Sequence, residues 1–161
     1  MSKVQGVPNG FRTLTPHLVI KGASEAAEFY KKVFYAEEVR RMLTPERRIL
    51  HLELKIGDSM LFICEEIPPM NCKGPTSLGG TPVTIHVFVE DVDAVFSRAV
   101  KAGATVTMPV NNMFWGDRYG KFIDPFGHSW GVATRVENLT AEEIKARQDA
   151  FFAWMVETTH A

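Results

Sequence analysis

The chain has 161 residues, 45% hydrophobic and 23% charged, with 18 Lys+Arg against 19 Asp+Glu for a formal charge of −1. These fractions describe a folded chain long enough to bury a core, and they exclude wholesale disorder. The near-neutral balance argues against a nucleic-acid partner, and no apolar run reaches the roughly 18 residues that a membrane-crossing helix requires.

Met1-Ser2-Lys3-Val4-Gln5-Gly6 has no apolar segment after a charged one, so no secretory signal is expected and the cytoplasm is the expected location. A strand is expected over Leu14–Ile20, followed by a helix over about Ser24–Phe34 with Ser24 as N-cap. Ala26, Tyr30, Val33 and Phe34 recur at i, i+4, i+7 and i+8, which is one helical face. Ile49–Ile56 alternates, with Leu50, Leu52, Leu54 and Ile56 predicted on one face and Ile49, His51, Glu53 and Lys55 on the other. Gly57-Asp58-Ser59 turns into a strand over Met60–Cys64. Ile67–Pro82, with four prolines and three glycines, reads as a linker. The two cysteines, Cys64 and Cys72, match no metal knuckle or redox motif and read as reduced thiols.

Val83–Val89 is the next strand, and it runs into a helix over Val92–Ala102. Val92, Val95, Phe96 and Ala99 form its apolar stripe, Asp91 its cap and Gly103 its stop. Asp124-Pro125-Phe126-Gly127 suits a type I turn joining Lys121–Ile123 to His128–Thr134. Thr140-Ala141-Glu142-Glu143 is a capping box. It opens a helix with Ile144, Phe151, Phe152 and Met155 on one side.

The chain also repeats itself. Thr15-Pro16-His17 and Thr84-Ile85-His86 precede the two helices at an offset of 69, and Gly57 and Gly127 are offset by 70. Each half reads strand, helix, then three strands, so two copies of one unit are expected to share a core. The expected organisation is a module over 12–66, a linker over 67–82, a second module over 83–136 and a helix over 139–158, fused as one domain.

Thr15-Pro16-His17-Leu18-Val19-Ile20 and Glu28-Phe29-Tyr30-Lys31-Lys32-Val33-Phe34 carry a family resemblance, as does His51-Leu52-Glu53-Leu54-Lys55-Ile56-Gly57-Asp58-Ser59. So do Trp115-Gly116-Asp117-Arg118-Tyr119-Gly120-Lys121-Phe122 and Asp124-Pro125-Phe126-Gly127-His128-Ser129-Trp130. With its paired βαβββ pattern, the chain resembles the vicinal oxygen chelate superfamily, which holds glyoxalases, fosfomycin and bleomycin resistance proteins and extradiol dioxygenases. Within that group it looks like the PhnB-like branch. The resemblance implies an α+β fold, with two βαβββ modules forming a curled mixed sheet around a cleft, plus a C-terminal helix. It also implies that the two first strands lie side by side, and that the protein is a homodimer. One departure is Tyr35, where the first helix of this family usually ends on Gly; a left-handed stop there costs Tyr roughly 1 kcal/mol or more.

Enzymes of the family usually hold a divalent metal with His, Gln or Glu from the first and last strands of each module. Matched position by position, those places fall on Thr15, Leu61, Thr84 and Gly131. None is an ordinary metal ligand, so no cofactor is expected. His17 and His86, each two residues past such a place, are the candidates for a displaced metal site or an acid/base pair. Their other reading is as pocket histidines satisfied by hydrogen bonds. His51 and Glu53 share a strand face and are candidate ligand contacts, or a half-exposed pair without function. Trp115 and Tyr119 offer stacking surface and Arg118 a bidentate grip on a carboxylate or phosphate, or else Asp117 and Arg118 stabilise a hairpin. Phe122 completes the candidate ligand contacts; with Met42, Met60, Met108, Met113, Phe62, Phe88 and Phe114 it lines a cavity or fills the core. His128 reads as a turn residue near the surface.

The expected function is binding of a small molecule in the cleft between modules, without the usual metal. The alternative is a metal-dependent lyase, isomerase or dioxygenase, or a metal-free acid/base enzyme using His17 or His86. Phe151, Phe152, Trp154 and Met155 are expected to be covered by the chain's own body or by a second copy.

Overall fold

A computed structural model describes residues 4–159. The first module consists of β1 (His17–Ile20), α1 (Ala23–Phe34), β2 (Glu37–Leu43), β3 (Ile49–Ile56) and β4 (Ser59–Glu65). The predicted linker contains a 3-10 turn at Pro68–Met70 and a one-turn helix, α2 (Pro75–Leu78). The second module consists of β5 (Thr84–Phe88), α3 (Val92–Lys101), β6 (Thr105–Asn112), β7 (Asp117–Ile123) and β8 (Ser129–Arg135). The chain ends in α4 (Ala141–Thr159).

The strands form two four-stranded mixed sheets with the same order, β1-β4-β3-β2 and β5-β8-β7-β6. In each, the first strand pairs parallel with the last and the others pair antiparallel. One face of each sheet carries a helix, α1 on the first and α3 on the second, and the two helices pack on each other. The predicted stripes supply this layer: Ala26, Tyr30, Val33 and Phe34 are buried, as are Val92, Val95, Phe96 and Ala99. Phe34 meets Trp130 at 4.7 Å and Phe122 at 6.3 Å between ring centroids, so α1 also packs against the second sheet. Removing such large apolar side chains from water stabilises each by about 1.5–3 kcal/mol.

The predicted alternation of β3 holds only in part. Met42 stands opposite His51 and Leu43 opposite Ile49, leaving Leu50 as the extra residue of a bulge. Parity breaks there: Ile49 joins Leu52 and Leu54 in the core, while Leu50 turns outward.

The N-cap of α1 is also a correction. Gly22, at φ 90°, and not Ser24, occupies that position, and its own residue supplies no side-chain cap. Glu65 at the end of β4 caps the helix instead, its carboxylate accepting from the N–H groups of Gly22 and Ala23 at 3.0 Å each. Acidic oxygens suit this end of a helix because its first N–H groups lack intrahelical partners. α3 is capped as predicted, with Asp91 accepting from Ala94 N–H at 2.9 Å. The capping box of α4 also forms, Thr140 N–H to Glu143 at 2.7 Å and Glu143 N–H to Thr140 Oγ1 at 3.2 Å. Tyr35 ends α1 at φ 54°, the strained left-handed stop that the family resemblance implied, and Arg98 lies 4.3 Å over its ring.

The junction between modules is polar at its centre. Asp124, only 3% exposed, opens the predicted turn and accepts from the N–H groups of Phe126 and His128. Its second oxygen accepts from the Tyr30 hydroxyl at 2.6 Å and from Trp130 Nε1 at 2.9 Å. Burial, then the Asp124 charge, hold the Tyr30 phenol well above its ordinary range. His128 is buried rather than superficial, because the turn packs on β1 and brings its Nε2 within 3.2 Å of the Val19 carbonyl.

Candidate functional site: an intermodule cleft and two open sheet faces

The helix-free faces of the sheets and the gap between modules are where the candidate residues collect. The gap is a cleft of about 1110 Å³. Leu14, Pro16 and Met60 line it from the first module, and Ile85, His86 and Phe88 from the second. It exists because the edge strands β1 and β5 are not hydrogen-bonded to each other. Charged groups stand at its border, but most are already engaged. Arg98 donates to the Val33 carbonyl at 3.0 Å, Asp91 caps α3, and Arg135 lies 2.6 Å from Asp117, too far out of line for a hydrogen bond. An apolar wall with few free polar anchors suits a small organic ligand.

On the second sheet's open face, His86 stacks on Tyr119 at 5.5 Å and 15° and meets Phe88 at 4.7 Å. Trp115 lies 6.0 Å from Tyr119 and donates its indole N–H to Asp117. Burial raises the Tyr119 phenol. Arg118, predicted to grip a ligand, grips Asp93 instead, in a bidentate pair at 2.7 and 2.7 Å. The first turn of α3 places that carboxylate within its reach, and the pairing lowers Asp93 and raises Arg118. Phe122 is fully buried in the helix layer, on the opposite face from Tyr119, and faces no ligand surface.

On the first sheet's open face, β1, β4 and β3 bring His17, Phe62 and Glu53 into one row, since His17 pairs with Phe62 and Phe62 with Glu53. His51 Nε2 lies 3.2 Å from Glu53 Oε1. The rings of His17 and His51 are 6.2 Å apart, closer than their separation by a whole strand suggested, because both lean over Phe62. Phe11, which no motif in the sequence points to, lies 5.6 Å from Phe62 between ring centroids. Burial, then the charge of His51, lower the His17 imidazole below its ordinary value.

The expected juxtaposition of His17 and His86 fails. They occupy different sheets whose first strands are not paired, so His17 meets His51 and His86 meets Tyr119. The register also corrects one metal position. His86 pairs with Gly131 and His17 with Phe62, so Phe62, not Leu61, is the counterpart of Gly131. Leu61 packs in the core. The one-residue difference in hairpin length between the modules had hidden this.

The four positions therefore carry Thr15, Phe62, Thr84 and Gly131, which do not fit a divalent metal. Thr84 is hydrogen-bonded to Ser129 at 3.0 Å. A side chain on Gly131 would meet the Tyr119 hydroxyl at 2.7 Å, so the place where a ligand residue would stand is filled by an aromatic ring. Among the described residues, no three His, Cys, Asp or Glu side chains converge on a point that would hold a metal ion.

No helix among the described residues is long and apolar enough to cross a membrane. The chain is 46% identical to an uncharacterized protein of Mycobacterium bovis over 137 residues, 83% of this chain and 90% of that one. The crystal structure of TioX from Micromonospora superposes with a TM-score of 0.62 at 25% identity, covering 78% of this chain and 99% of that one. A PhnB protein from Bacillus cereus shares the fold, with a TM-score of 0.60 at 18% identity, covering 76% and 99%. Residues 13–132 match the sequence profile of the glyoxalase, bleomycin resistance protein and dioxygenase family. The repeated βαβββ architecture agrees with that match, and the chain belongs to the glyoxalase/bleomycin resistance protein/dioxygenase superfamily.

Proposed function

We propose that this protein, as a PhnB-like member of its superfamily, binds a small apolar molecule in the cleft between its modules without the divalent metal that the fold commonly carries. The observation that supports this most is the cleft itself: about 1110 Å³ walled by Leu14, Pro16, Met60, Ile85 and Phe88, with His86 as the polar anchor. The metal-dependent lyase, isomerase and dioxygenase alternatives require a donor set that Thr15, Phe62, Thr84 and Gly131 lack. The protein works as a homodimer in this reading, since α4 leaves Phe152, Trp154 and Val156 more than half exposed. The free thiols of Cys64 and Cys72 suit a reducing cytoplasm.

The test uses an anilinonaphthalene sulfonate as a fluorescent probe, with thermal melting as second readout. Saturable binding that raises stability by about 2.7 kcal/mol at a hundredfold excess over Kd is expected. Ala94→Trp, which places a large ring in the cleft wall, is expected to abolish it. Unsaturable binding, or binding indifferent to Ala94→Trp, counts against the proposal.

A further inference from the structure

Two arginines line the cleft, and they are held differently. Arg135 lies 2.6 Å from the buried carboxylate of Asp117. Arg98, half-buried on α3, has no acidic partner among the described residues. Its guanidinium has two partners there: Nε donates to the Val33 carbonyl at 3.0 Å, and the central carbon lies 4.3 Å from the centre of the Tyr35 ring. We propose that Arg98 receives an anionic oxygen group of the molecule bound in the cleft, so that the ligand is an apolar acid, and that Tyr35 positions the guanidinium for it. The proposal rests on the cleft being the binding site.

The side chain's chemistry supports this. A guanidinium carries five N–H donors in a planar fork, and with Nε occupied the two terminal nitrogens keep four of them. That end of the fork matches the paired oxygens of a carboxylate or sulfonate. A charge partly withdrawn from water without a counter-charge is stabilised by a ligand that brings one. Ala94 and Val95 of the same helix line the cleft beside Arg98 and supply apolar wall. The acids at its border are placed elsewhere. Asp91 accepts from Ala94 N–H, Asp58 lies 3.6 Å from Arg12, and Glu90 is exposed.

Tyr35 is an independent observation. It ends α1 at φ 54°, a conformation that strains a residue with a Cβ and not a glycine. Burial does not repay the strain, since Tyr35 is 69% exposed. What the tyrosine adds is its ring against Arg98, at the edge of the cleft that both residues line. Backbone strain of this kind gathers where a site needs a side chain in an awkward place.

The test compares two fluorescent probes that differ by one group, 1-anilinonaphthalene-8-sulfonate and the neutral N-phenyl-1-naphthylamine. The readout is the ratio of their affinities for the full chain. Arg98→Gln is expected to lower the sulfonate-to-neutral ratio about tenfold. Arg98→Lys, which keeps the charge and loses the fork, should lower it less. Tyr35→Gly removes strain and ring together: it should melt within a few degrees of wild type while the ratio falls about threefold. Circular dichroism reports whether each variant folds, and if Arg98→Gln does not, Arg98→Lys and Tyr35→Gly decide. A ratio unmoved in the folded variants overturns the proposal, and the cleft reading still stands if both probes bind and Ala94→Trp abolishes their binding. Saturable binding of neither probe removes the cleft reading and the proposal with it. A ratio that falls in Arg135→Gln but not in Arg98→Gln assigns the anion to the other arginine and also overturns the proposal. Tyr35→Gly that melts far lower with an unchanged ratio reduces the Tyr35–Arg98 contact to a structural one and overturns the positioning role.

Discussion

The two modules share one architecture and differ in what stands at equivalent places. His17 and His86 occupy the same position in their sheets, each paired with the central strand beside it. Across from His17 stands Phe62, whose ring lies under both His17 and His51. Across from His86 stands Gly131, and Tyr119 from the neighbouring strand swings over it to stack on His86. Both modules therefore put an aromatic ring where a metal-binding side chain would otherwise project. One does so with the residue itself, the other with a neighbour that only a glycine admits. The surrounding chemistry then diverges: the first face keeps a His51–Glu53 pair, whereas the second is aromatic. The same scaffold can thus fill one position in two ways and hold different polar groups in each half.

The modules also meet asymmetrically, through Asp124 of the second and Tyr30 of the first. Asp124→Ala removes an acceptor of four hydrogen bonds and leaves Tyr30 and Trp130 with buried, unpaired donors. A loss of about 3–5 kcal/mol is expected in urea denaturation. A loss below about 1 kcal/mol would show that the modules are joined by their apolar contacts alone.

Gly131→Glu tests the ring-for-ligand exchange. Overpacking against Tyr119 should cost about 1–3 kcal/mol. Adding Tyr119→Ala should restore part of that loss, giving a coupling of about 1 kcal/mol or more in a double-mutant cycle. Strict additivity would mean that Tyr119 moves aside freely. Helix capping sharpens the contrast further. Glu65→Ala removes a cap that β4 supplies across 42 residues of chain, and Asp91→Ala removes one local to α3. Each should cost about 1 kcal/mol, but amide exchange near Gly22 and Ala23 should also rise across the end of β4 only for Glu65→Ala.

The smallest effect lies on the outer strand β2. Hydrogen bonding to Arg41 and then Lys31, opposed by some desolvation, lowers the Glu38 carboxyl from 4.5 to about 2. A carboxyl lowered in the folded state contributes stability that is present above pH 4.5 and lost as pH falls toward 2. Glu38→Gln should flatten that part of the stability profile, and salt should shrink the effect because the group is largely solvated. An unchanged acid limb would show that the ion pair is too well screened to matter.

Much of the architecture was legible in the chain. The stripe of Ala26, Tyr30, Val33 and Phe34, the stripe of α3 and the capping box depend on local spacing, the near-70-residue repeat on comparing the chain with itself, and each stands in the fold. What could not be read depended on register and on distant partners. A bulge at Leu50 inverted one end of β3, and a one-residue difference in hairpin length shifted the counterpart of Gly131 from Leu61 to Phe62. Glu65 caps a helix that begins 42 residues earlier, and Arg118 is claimed by Asp93, since local sequence does not record which acid lies within reach. The signal that points to Asp124 is that a buried Tyr and a buried Trp each demand an acceptor.

The most direct test of the central claim is the metal content of the untagged protein, purified without chelator and then incubated with zinc, nickel, manganese and iron(II), read by plasma mass spectrometry. No stoichiometric metal is expected, with the same result for Tyr119→Ala. Close to one equivalent of a single transition metal per chain would contradict it, and would mean that His17, His51 or His86 binds metal from positions the family does not normally use.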